Sequence, residues 1–252
     1  MTVMTSGIAT TGDTPLLERE RELAVFDELL SGNGGGSCLV LIEGPAGIGK
    51  SRLVDELVGR ARQNGVRVLA AHGAHLERDF PYGVVRQLFE PALAEDRERL
   101  LAGAAASAAP IFQTFASPGP VAGDGSFAAL HGLYWLAANI AEDGPLLLVV
   151  DDVHWCDAPS LRYLAYVARR LAGLGILLAL SLRSGEPGTD PVLVAELASS
   201  AEALRIAPRP LSGDGVAALI ADRLGAAPEE PFTAACLEAT GGNPLLLRQL
   251  LS

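Results

Sequence analysis

The feature that most constrains this chain is the segment GPAGIGKS at residues 44–51. It fits the pattern GxxxxGK[ST], and it lies between the apolar run CLVLIE and the helix-like sequence RLVDELVGRAR. A strand, a glycine loop and a helix N-terminus in this order form the context in which the pattern binds phosphate. The segment therefore predicts a phosphate-binding loop within an α/β fold.

Lys50 in this loop is the only lysine among nineteen basic residues, and all the others are arginine. A lysine at this position indicates that a compact ammonium is needed and that a planar guanidinium would not serve. A narrow pocket between phosphate oxygens has this requirement. The alternative is an ordinary glycine-rich turn in which Lys50 is a surface charge. The predicted phosphate contacts are Gly44, Pro45, Ala46, Gly47, Ile48, Gly49, Lys50, Ser51 and Arg52.

Charge and composition exclude several classes of protein. Of the 252 residues 49% are hydrophobic, which is enough for a substantial core, and the net charge of -11 argues against a nucleic-acid surface on this chain. Three widely spaced cysteines match no metal pattern and suit a reducing compartment. The N-terminus lacks a signal-peptide pattern, and the longest apolar stretch, 171–182, is too short to span a bilayer. We therefore expect a cytoplasmic protein without a membrane partner.

Five short apolar runs predict the strands of a parallel sheet, because continuous apolar runs are typical of strands buried on both faces. They are CLVLIEG at 38–44, VRVLAAHG at 66–73, PLLLVVDD at 145–152, ILLALSLR at 176–183 and ALRIAPRPL at 203–211. Helical patterns at 50–63, 126–142 and 160–173 separate these runs. Asp157 is the predicted N-cap of the last of these helices.

The remaining segments indicate the domain organisation. We expect residues 1–15 to be flexible and 16–207 to form the phosphate-binding domain. The segment 74–125 is longer than a simple crossover, and it predicts an insert of two helices and a loop, with packing as its simplest role. The helical pattern from 208 to 252 predicts a small lid.

Two adjacent carboxylates, Asp151 and Asp152, follow the apolar run LLLVV. Doubly wound sheets bind their ligands at the carboxyl ends of the strands. We therefore expect Asp151 to hold magnesium together with Ser51, and Asp152 to orient an attacking water. The alternative is that Asp152 only caps the following turn.

Arg183 ends the fourth apolar run. If that strand lies between the loop strand and the acid strand, its guanidinium emerges beside a terminal phosphate and senses its presence; the alternative is a surface ion pair. The predicted catalytic set is thus Lys50, Asp152 and Arg183. The histidines form no ligand pattern in the sequence, and His154 is expected at most to donate a hydrogen bond near the acids.

Several segments together resemble a known family. LLERERELAVFDELL at 16–30, GPAGIGKS, LLLVVDDVHWCDAPSLRYLAYVARRL, SLRSGE and GGNPLLLRQLL occur in the order found in the ATPase module of STAND-type regulators. Including PYGVVRQLFEP, the chain is most similar to large LuxR-type transcriptional activators over about 16–252. The resemblance implies an AAA-like P-loop NTPase fold, a three-layer α/β parallel sheet of order 5-1-4-3-2 with a C-terminal helical lid, and ATP or ADP with Mg²⁺ as ligands.

The resemblance also implies further nucleotide contacts. Glu18 and Arg19 match the segment that lies near the base or ribose, although related modules often carry glycine where Glu18 stands. Pro244 in GGNP matches the lid residue that closes on the nucleotide. Relatives continue into a helical sensor region and a helix-turn-helix, whereas this chain ends at Ser252. We therefore expect a truncated module that meets DNA only through regions absent here.

The sequence thus predicts an ATP-binding and slowly hydrolysing switch domain of a LuxR-type transcriptional regulator. Nucleotide-dependent self-association is left open. The alternatives are a stand-alone P-loop ATPase, a kinase, or a scaffold that holds its nucleotide permanently. A kinase usually needs several lid arginines, and those after residue 184 are scattered.

Overall fold

The computed structural model describes residues 16–31, 37–113, 127–186, 188–201 and 203–252. The flexible segment expected at 1–15 and the loop expected at 116–125 lie outside this part of the chain. The chain divides into two compact units. The larger unit is Glu20–Arg209, and the smaller unit combines residues up to Arg19 with Pro210–Ser252.

The larger unit is a parallel sheet with helices between its strands. The strands are β1 (Cys38–Gly44), β2 (Arg67–His72), β3 (Leu146–Asp151), β4 (Ile176–Arg183) and β5 (Leu204–Ile206). The helices are α1 (Glu20–Leu30), α2 (Lys50–Gln63), α3 (Gly83–Leu100), α4 (Phe127–Ala141), α5 (Ala158–Ala168) and α6 (Pro191–Ala198), with 3₁₀ segments at Gly103–Phe112 and Val153–Trp155.

All strand pairs are parallel, and the order is β2-β3-β4-β1-β5. This is the predicted order read from the opposite edge, so the predicted α/β fold is confirmed. In particular, β4 lies between β1 and β3. The carboxyl ends of these three strands therefore lie side by side, and the residues that follow them meet at one edge of the sheet.

Burial of β1 explains why its sequence does not alternate. Leu39, Val40, Leu41 and Ile42 are each at most 3% exposed. Successive side chains of a strand point to opposite faces, so both faces of the sheet are covered. A continuous apolar run is the sequence that such a strand requires.

Two predicted elements end earlier in the structure than expected. The fifth strand ends at Ile206 instead of 211, because Pro208 and Pro210 have no N–H to donate to a ladder. Helix α5 begins after Asp157 as predicted but ends at Ala168, and the chain then turns through glycines before β4.

The described part of the insert between β2 and β3 contains two helical segments, as predicted, but only the first of them is an α-helix. Helix α3 bends at Asp96, whose φ of -152° and ψ of 75° are not helical. The second expected helix is the 3₁₀ segment Gly103–Phe112. Buried residues of both, such as Phe89 and Ile111, belong to the main core cluster.

The smaller unit contains α7 (Gly213–Leu224), α8 (Glu230–Thr240) and α9 (Pro244–Leu250). Its core is formed by Leu211, Val216, Leu219, Ile220, Cys236 and Leu247, with Leu17 packed against it. Leu17, one of the described residues before α1, is thus part of this helical core. Among the described helices, none combines the length and the apolar character that a membrane crossing requires.

Candidate functional site

The glycine loop joins β1 to α2 as the sequence predicts. Gly44 ends β1, the next five residues form the turn, and Lys50, Ser51 and Arg52 open the helix. Gly47 (φ 77°) and Gly49 (φ 105°) have left-handed backbone conformations that other residues rarely adopt. Gly49 is also the N-cap of α2 and has no side chain to cap the first N–H groups. These groups and the helix dipole favour an anion in the loop.

Lys50 is folded back into this loop. Its side chain is buried, and Nζ donates hydrogen bonds to the carbonyl oxygens of Gly44 at 3.0 Å and Pro45 at 3.1 Å. Burial lowers the pKa of Lys50, the charge of Arg183 acts in the same direction, and Asp152 opposes both. The charges of Lys50, Asp152 and Arg183 therefore interact at the loop, although these residues come from different elements.

Asp151 is held in a fixed orientation at the end of β3. Its Oδ1 accepts hydrogen bonds from the hydroxyl of Ser181 and, at 3.1 Å, from the backbone N–H of Asp152. Burial alone would raise the pKa of Asp151, but interactions with His72, Ser181 and Ser51 outweigh it and lower the pKa to about 2. The carboxylate is thus ionised, and Ser51 lies beside it.

Asp152 has an unusual backbone conformation, with φ and ψ both at 49°. Non-glycine residues in the left-handed region are uncommon, and they cluster at functional sites. Its N–H donates to Ser181 Oγ at 2.8 Å, whereas its carboxylate makes no capping hydrogen bond to the turn that follows. The geometry gives no support to a purely capping role.

Arg183 ends β4, between the loop strand and the acid strand. The predicted sensor role of Arg183 required β4 to lie between these two strands, and it does. Its Nη1 also pairs with Glu186 Oε2 at 3.0 Å, while the buried Nε has no hydrogen-bond partner among the described residues. The nearness of Arg183 to Lys50 agrees with a phosphate sensor. Its contact with Glu186 agrees with the alternative, an ion pair.

Strand pairing brings one of the histidines, His72, close to the acids. In the parallel register His72 lies opposite Asp151, and its Nδ1 is 3.8 Å from Asp151 Oδ2. Ligand atoms of His72, Asp151 and Asp152 all lie within 4.8 Å of one another. The sequence showed no ligand pattern among the histidines, because this cluster arises from pairing between strands and not from spacing in the chain.

His154 makes less contact with the acids than the hydrogen bond that was expected of it at most. It is fully buried, its two ring nitrogens have no hydrogen-bond partner in the described part of the chain, and Nε2 is 4.0 Å from Asp152 Oδ1. Burial lowers the pKa of His154, opposed by Asp152. His154 therefore makes no hydrogen bond to the acids.

Three further predicted site residues belong to the smaller unit. Glu18, at φ 55°, accepts hydrogen bonds from the hydroxyl and, at 2.9 Å, the N–H of Ser212, at the start of α7. Arg19 is buried, and its Nη1 donates to the carbonyl of Glu18 at 2.8 Å. Pro244 is the first residue of α9, directly after the N-cap Asn243. Within this unit, the carboxylate of Glu18 is engaged in capping.

The loop and the acids fit a nucleotide phosphate and a magnesium ion. The glycine conformations and the helix start without a side-chain cap suit phosphate oxygens. The hydroxyl of Ser51 and the carboxylate of Asp151 are hard oxygen ligands of the type that Mg²⁺ takes. These two residues can hold the ion, whose chemistry is to neutralise charge on phosphate oxygens.

Sequence reasoning missed two side chains that orient this site. Ser181 is the single hydroxyl in the apolar strand β4, and it is fully buried. A lone buried hydroxyl requires a partner, and that signal was present in the sequence. Glu186, which pairs with Arg183, follows it by three residues and carried no comparable signal.

A five-stranded parallel sheet of this order, with a glycine loop after β1 and acids after β3, defines a P-loop ATPase. The chain belongs to the AAA ATPase domain family, whose model matches residues 15–179. It is 30% identical to an uncharacterised protein of Rhizobium meliloti (strain 1021), over 79% of this chain and 21% of that protein. The chain therefore spans about a fifth of the length of that curated relative.

Solved structures with the same fold are more distant in sequence. A Signal Transduction ATPase with Numerous Domains protein with a tetratricopeptide repeat sensor, from Pyrococcus horikoshii, has a TM-score of 0.58 at 18% identity, over 95% of this chain and 30% of that one. Cdc6p from Pyrobaculum aerophilum has a TM-score of 0.55 at 16% identity, over 95% of this chain and 60% of its own. ORC1 of Aeropyrum pernix, solved with DNA, has a TM-score of 0.50 at 18% identity, over 95% and 60%.

Proposed function

We propose that this chain is the ATP-binding and slowly hydrolysing switch domain of a LuxR-type transcriptional regulator of the STAND class. The observation that carries the proposal is the convergence of Lys50, Asp152 and Arg183 at a glycine loop whose helix start has no side-chain cap. The order of the sequence segments, including PYGVVRQLFEP across the start of α3, supports the LuxR-type assignment.

Phosphate binding follows from the donors that the loop offers. An ammonium has three N–H donors, so Lys50 can keep its contacts to Gly44 and Pro45 and still donate to a phosphate oxygen. Its compact charge suits a loop in which a guanidinium would not fit. We propose that the chain takes ATP or ADP here, with Mg²⁺ held by Ser51 and Asp151.

Hydrolysis is assigned to Asp152 and Arg183. We propose that the carboxylate of Asp152 orients the attacking water and takes its proton, while Arg183 neutralises charge on the terminal phosphate. Release of Arg183 from Glu186 then accompanies binding of the third phosphate. A switch of this kind requires that ATP and ADP bind unequally to the two conformations, because a ligand shifts an equilibrium only by its differential affinity.

The remaining features of the proposal rest on the resemblance. Glu18, Arg19 and Pro244 are proposed to contact the base, the ribose or the phosphates.

The three free cysteines suit the cytoplasm. The ORC1 structure was solved with DNA, but this chain has a net charge of -11, so we propose no DNA contact for this chain. DNA binding is assigned to regions outside this sequence.

The proposal is tested by titrating the purified chain with ATP and ADP in magnesium by calorimetry. Replacing Lys50 with alanine removes a charged donor, and we expect affinity to fall roughly 10- to 150-fold, equivalent to about 1.5–3 kcal/mol. Arg62→Ala, an exposed basic residue at the far end of α2, is the matched control and should bind as the wild type does. Unchanged affinity in the Lys50 variant would remove the proposed site.

Turnover measurements separate the switch from its alternatives. Asp152→Asn should retain ATP binding and lose phosphate release, so that the bound nucleotide stays ATP. Rapid multiple turnover by the wild type would indicate a motor ATPase, and a phosphorylated acceptor would indicate a kinase. If the Asn variant does not differ from wild type, a permanent nucleotide-binding scaffold is the better description. Sedimentation of the same samples reports self-association.

A further inference from the structure

We propose that His72, Asp151 and Asp152 form a binding site for a divalent transition-metal ion in the nucleotide-free protein. The site shares Asp151 with the proposed magnesium site, but it is formed by the side chains of the chain alone. It therefore does not depend on ATP binding. Ni²⁺ and Mn²⁺ are the ions with which we define it.

The register of the sheet places the imidazole at the acids. Strands β2 and β3 are parallel, and His72 is the residue opposite Asp151. The backbone N–H of His72 donates to Gln87 Oε1 at 3.1 Å, which fixes the end of β2 against α3. The side chain of His72 is 58% exposed, so an ion can reach it from solvent.

The carboxylate of Asp151 faces this imidazole with one oxygen. Ser181 and the N–H of Asp152 occupy Oδ1, whereas Oδ2 is the oxygen nearest to His72. An aspartate side chain with an ordinary pKa is already ionised at neutral pH, so Asp151 can act as an anionic ligand. A metal ligand that is already ionised and oriented needs little rearrangement before it binds.

The distance between the two ligand atoms suits an ion between them. His72 Nδ1 and Asp151 Oδ2 are 3.8 Å apart, which is too long for a hydrogen bond. Two neighbouring ligand atoms that each lie about 2.1 Å from an octahedral or tetragonal ion are roughly 3.0 Å apart. A small side-chain movement is therefore sufficient, and the third ligand atom, from Asp152, is within 4.8 Å of both.

The ligand types predict selectivity. An imidazole with two carboxylates is a set that Ni²⁺, Zn²⁺ and Mn²⁺ accept, and the affinity rises from Mn²⁺ to Ni²⁺. Magnesium prefers oxygen ligands and keeps several waters, so His72 contributes little to its binding. Lys50 lies near Asp152 and competes for its carboxylate. We therefore expect Ni²⁺ to depend on His72 and Mg²⁺ not to.

The test uses the full, tag-free chain without nucleotide. Calorimetric titration with Ni²⁺ should give one site, and His72→Gln should weaken it at least about tenfold, since even an outer partner of a metal ligand is typically worth 10- to 100-fold. His75→Gln is the matched control: His75 is exposed three residues away and packs edge-on against Trp155. The control should bind Ni²⁺ as wild type does, and Mg²⁺ affinity should change less than about twofold in either variant.

A spectroscopic measurement identifies the ligand directly. Pulsed electron paramagnetic resonance of bound Mn²⁺ should show coupling to an imidazole nitrogen in the wild type and in His75→Gln, and no such coupling in His72→Gln. Thermal melting in EDTA checks that each variant is folded. The side chains of His72 and His75 are exposed, so we expect both variants to fold. Absence of Ni²⁺ binding, equal binding by the His72 variant, or nitrogen coupling that persists without His72 would each overturn the proposal. None of these results depends on the Lys50 test of ATP binding.

Discussion

Replacing Asp151 with asparagine should flatten the acid side of the pH dependence of stability. The side chain is 15% exposed, and its pKa is lowered from an ordinary 3.8 to about 2 in the folded protein. A folded-state pKa below the unfolded one stabilises the protein above the unfolded pKa, and this contribution is lost as pH falls through the folded pKa. Asparagine cannot titrate, so the variant lacks this dependence.

The size of the effect follows from the two pKa values. A difference between 3.8 and about 2 is equivalent to about 2 kcal/mol of unfolding free energy above pH 5, at 1.36 kcal/mol per unit. At pH 3 the unfolded carboxyl is mostly protonated and the folded one is not. About 1 kcal/mol of the contribution is therefore lost between pH 6 and pH 3.

Urea unfolding between pH 6 and pH 3, in EDTA and without nucleotide, measures this difference. The free energy of unfolding of the wild type should fall by about 1 kcal/mol more than that of Asp151→Asn over this range. Ser181→Ala removes one of the donors to Asp151 and should give an intermediate slope. Parallel curves for wild type and Asp151→Asn would refute the reasoning, because they would show that the carboxyl titrates alike in both states.

Two further substitutions test other parts of the molecule. Glu186→Gln removes the acidic partner of Arg183. This ion pair is partly exposed, and such pairs near the surface are worth at most about 1 kcal/mol, so the ratio of ATP to ADP affinity in calorimetry should rise roughly two- to fivefold. No change in that ratio would count against a role for Glu186. Gly242→Ala should unfold the smaller unit more readily, by about 1–3 kcal/mol in thermal melting, because φ is 72° and a Cβ would lie 2.2 Å from the carbonyl of Leu211. Gly213→Ala, where an added Cβ meets nothing within 4 Å, should melt within about 0.5 kcal/mol of wild type, and equal losses in both variants would contradict this account.

Local patterns were sufficient for the strand, loop and helix that hold the proposed phosphate site. The run from Cys38 to Gln63 contains its own signals: a continuous apolar strand, glycines for a left-handed turn, and a helix with basic residues in its last turn. Each signal acts within a few residues, so a single sequence contains all of it. The end of β5 shows the opposite case, since apolar residues continue past Ile206 while Pro208 and Pro210 end the ladder.

Interactions between strands could not be predicted from such local patterns. The sequence placed Asp151 and Arg183 at strand ends, because the ends of apolar runs are visible in the chain. It did not pair Ser181 with Asp151, because that contact depends on the neighbouring positions of β3 and β4 in the sheet. The order of the strands came from resemblance to a family, and only this order makes the two strands neighbours.

The two histidines near the acids show why nearness in sequence is a poor guide to a ligand set. His154 follows Asp152 by two residues, yet the intervening left-handed turn leads it into the core, where its nearest ring nitrogen is 4.0 Å from that carboxylate. His72 is far away in the chain, yet parallel pairing places it opposite Asp151. A side chain at the end of one strand meets its counterpart on the next strand whenever both strands end at the same level. Candidate ligands in a parallel sheet are therefore better sought by aligning strand ends than by spacing along the chain.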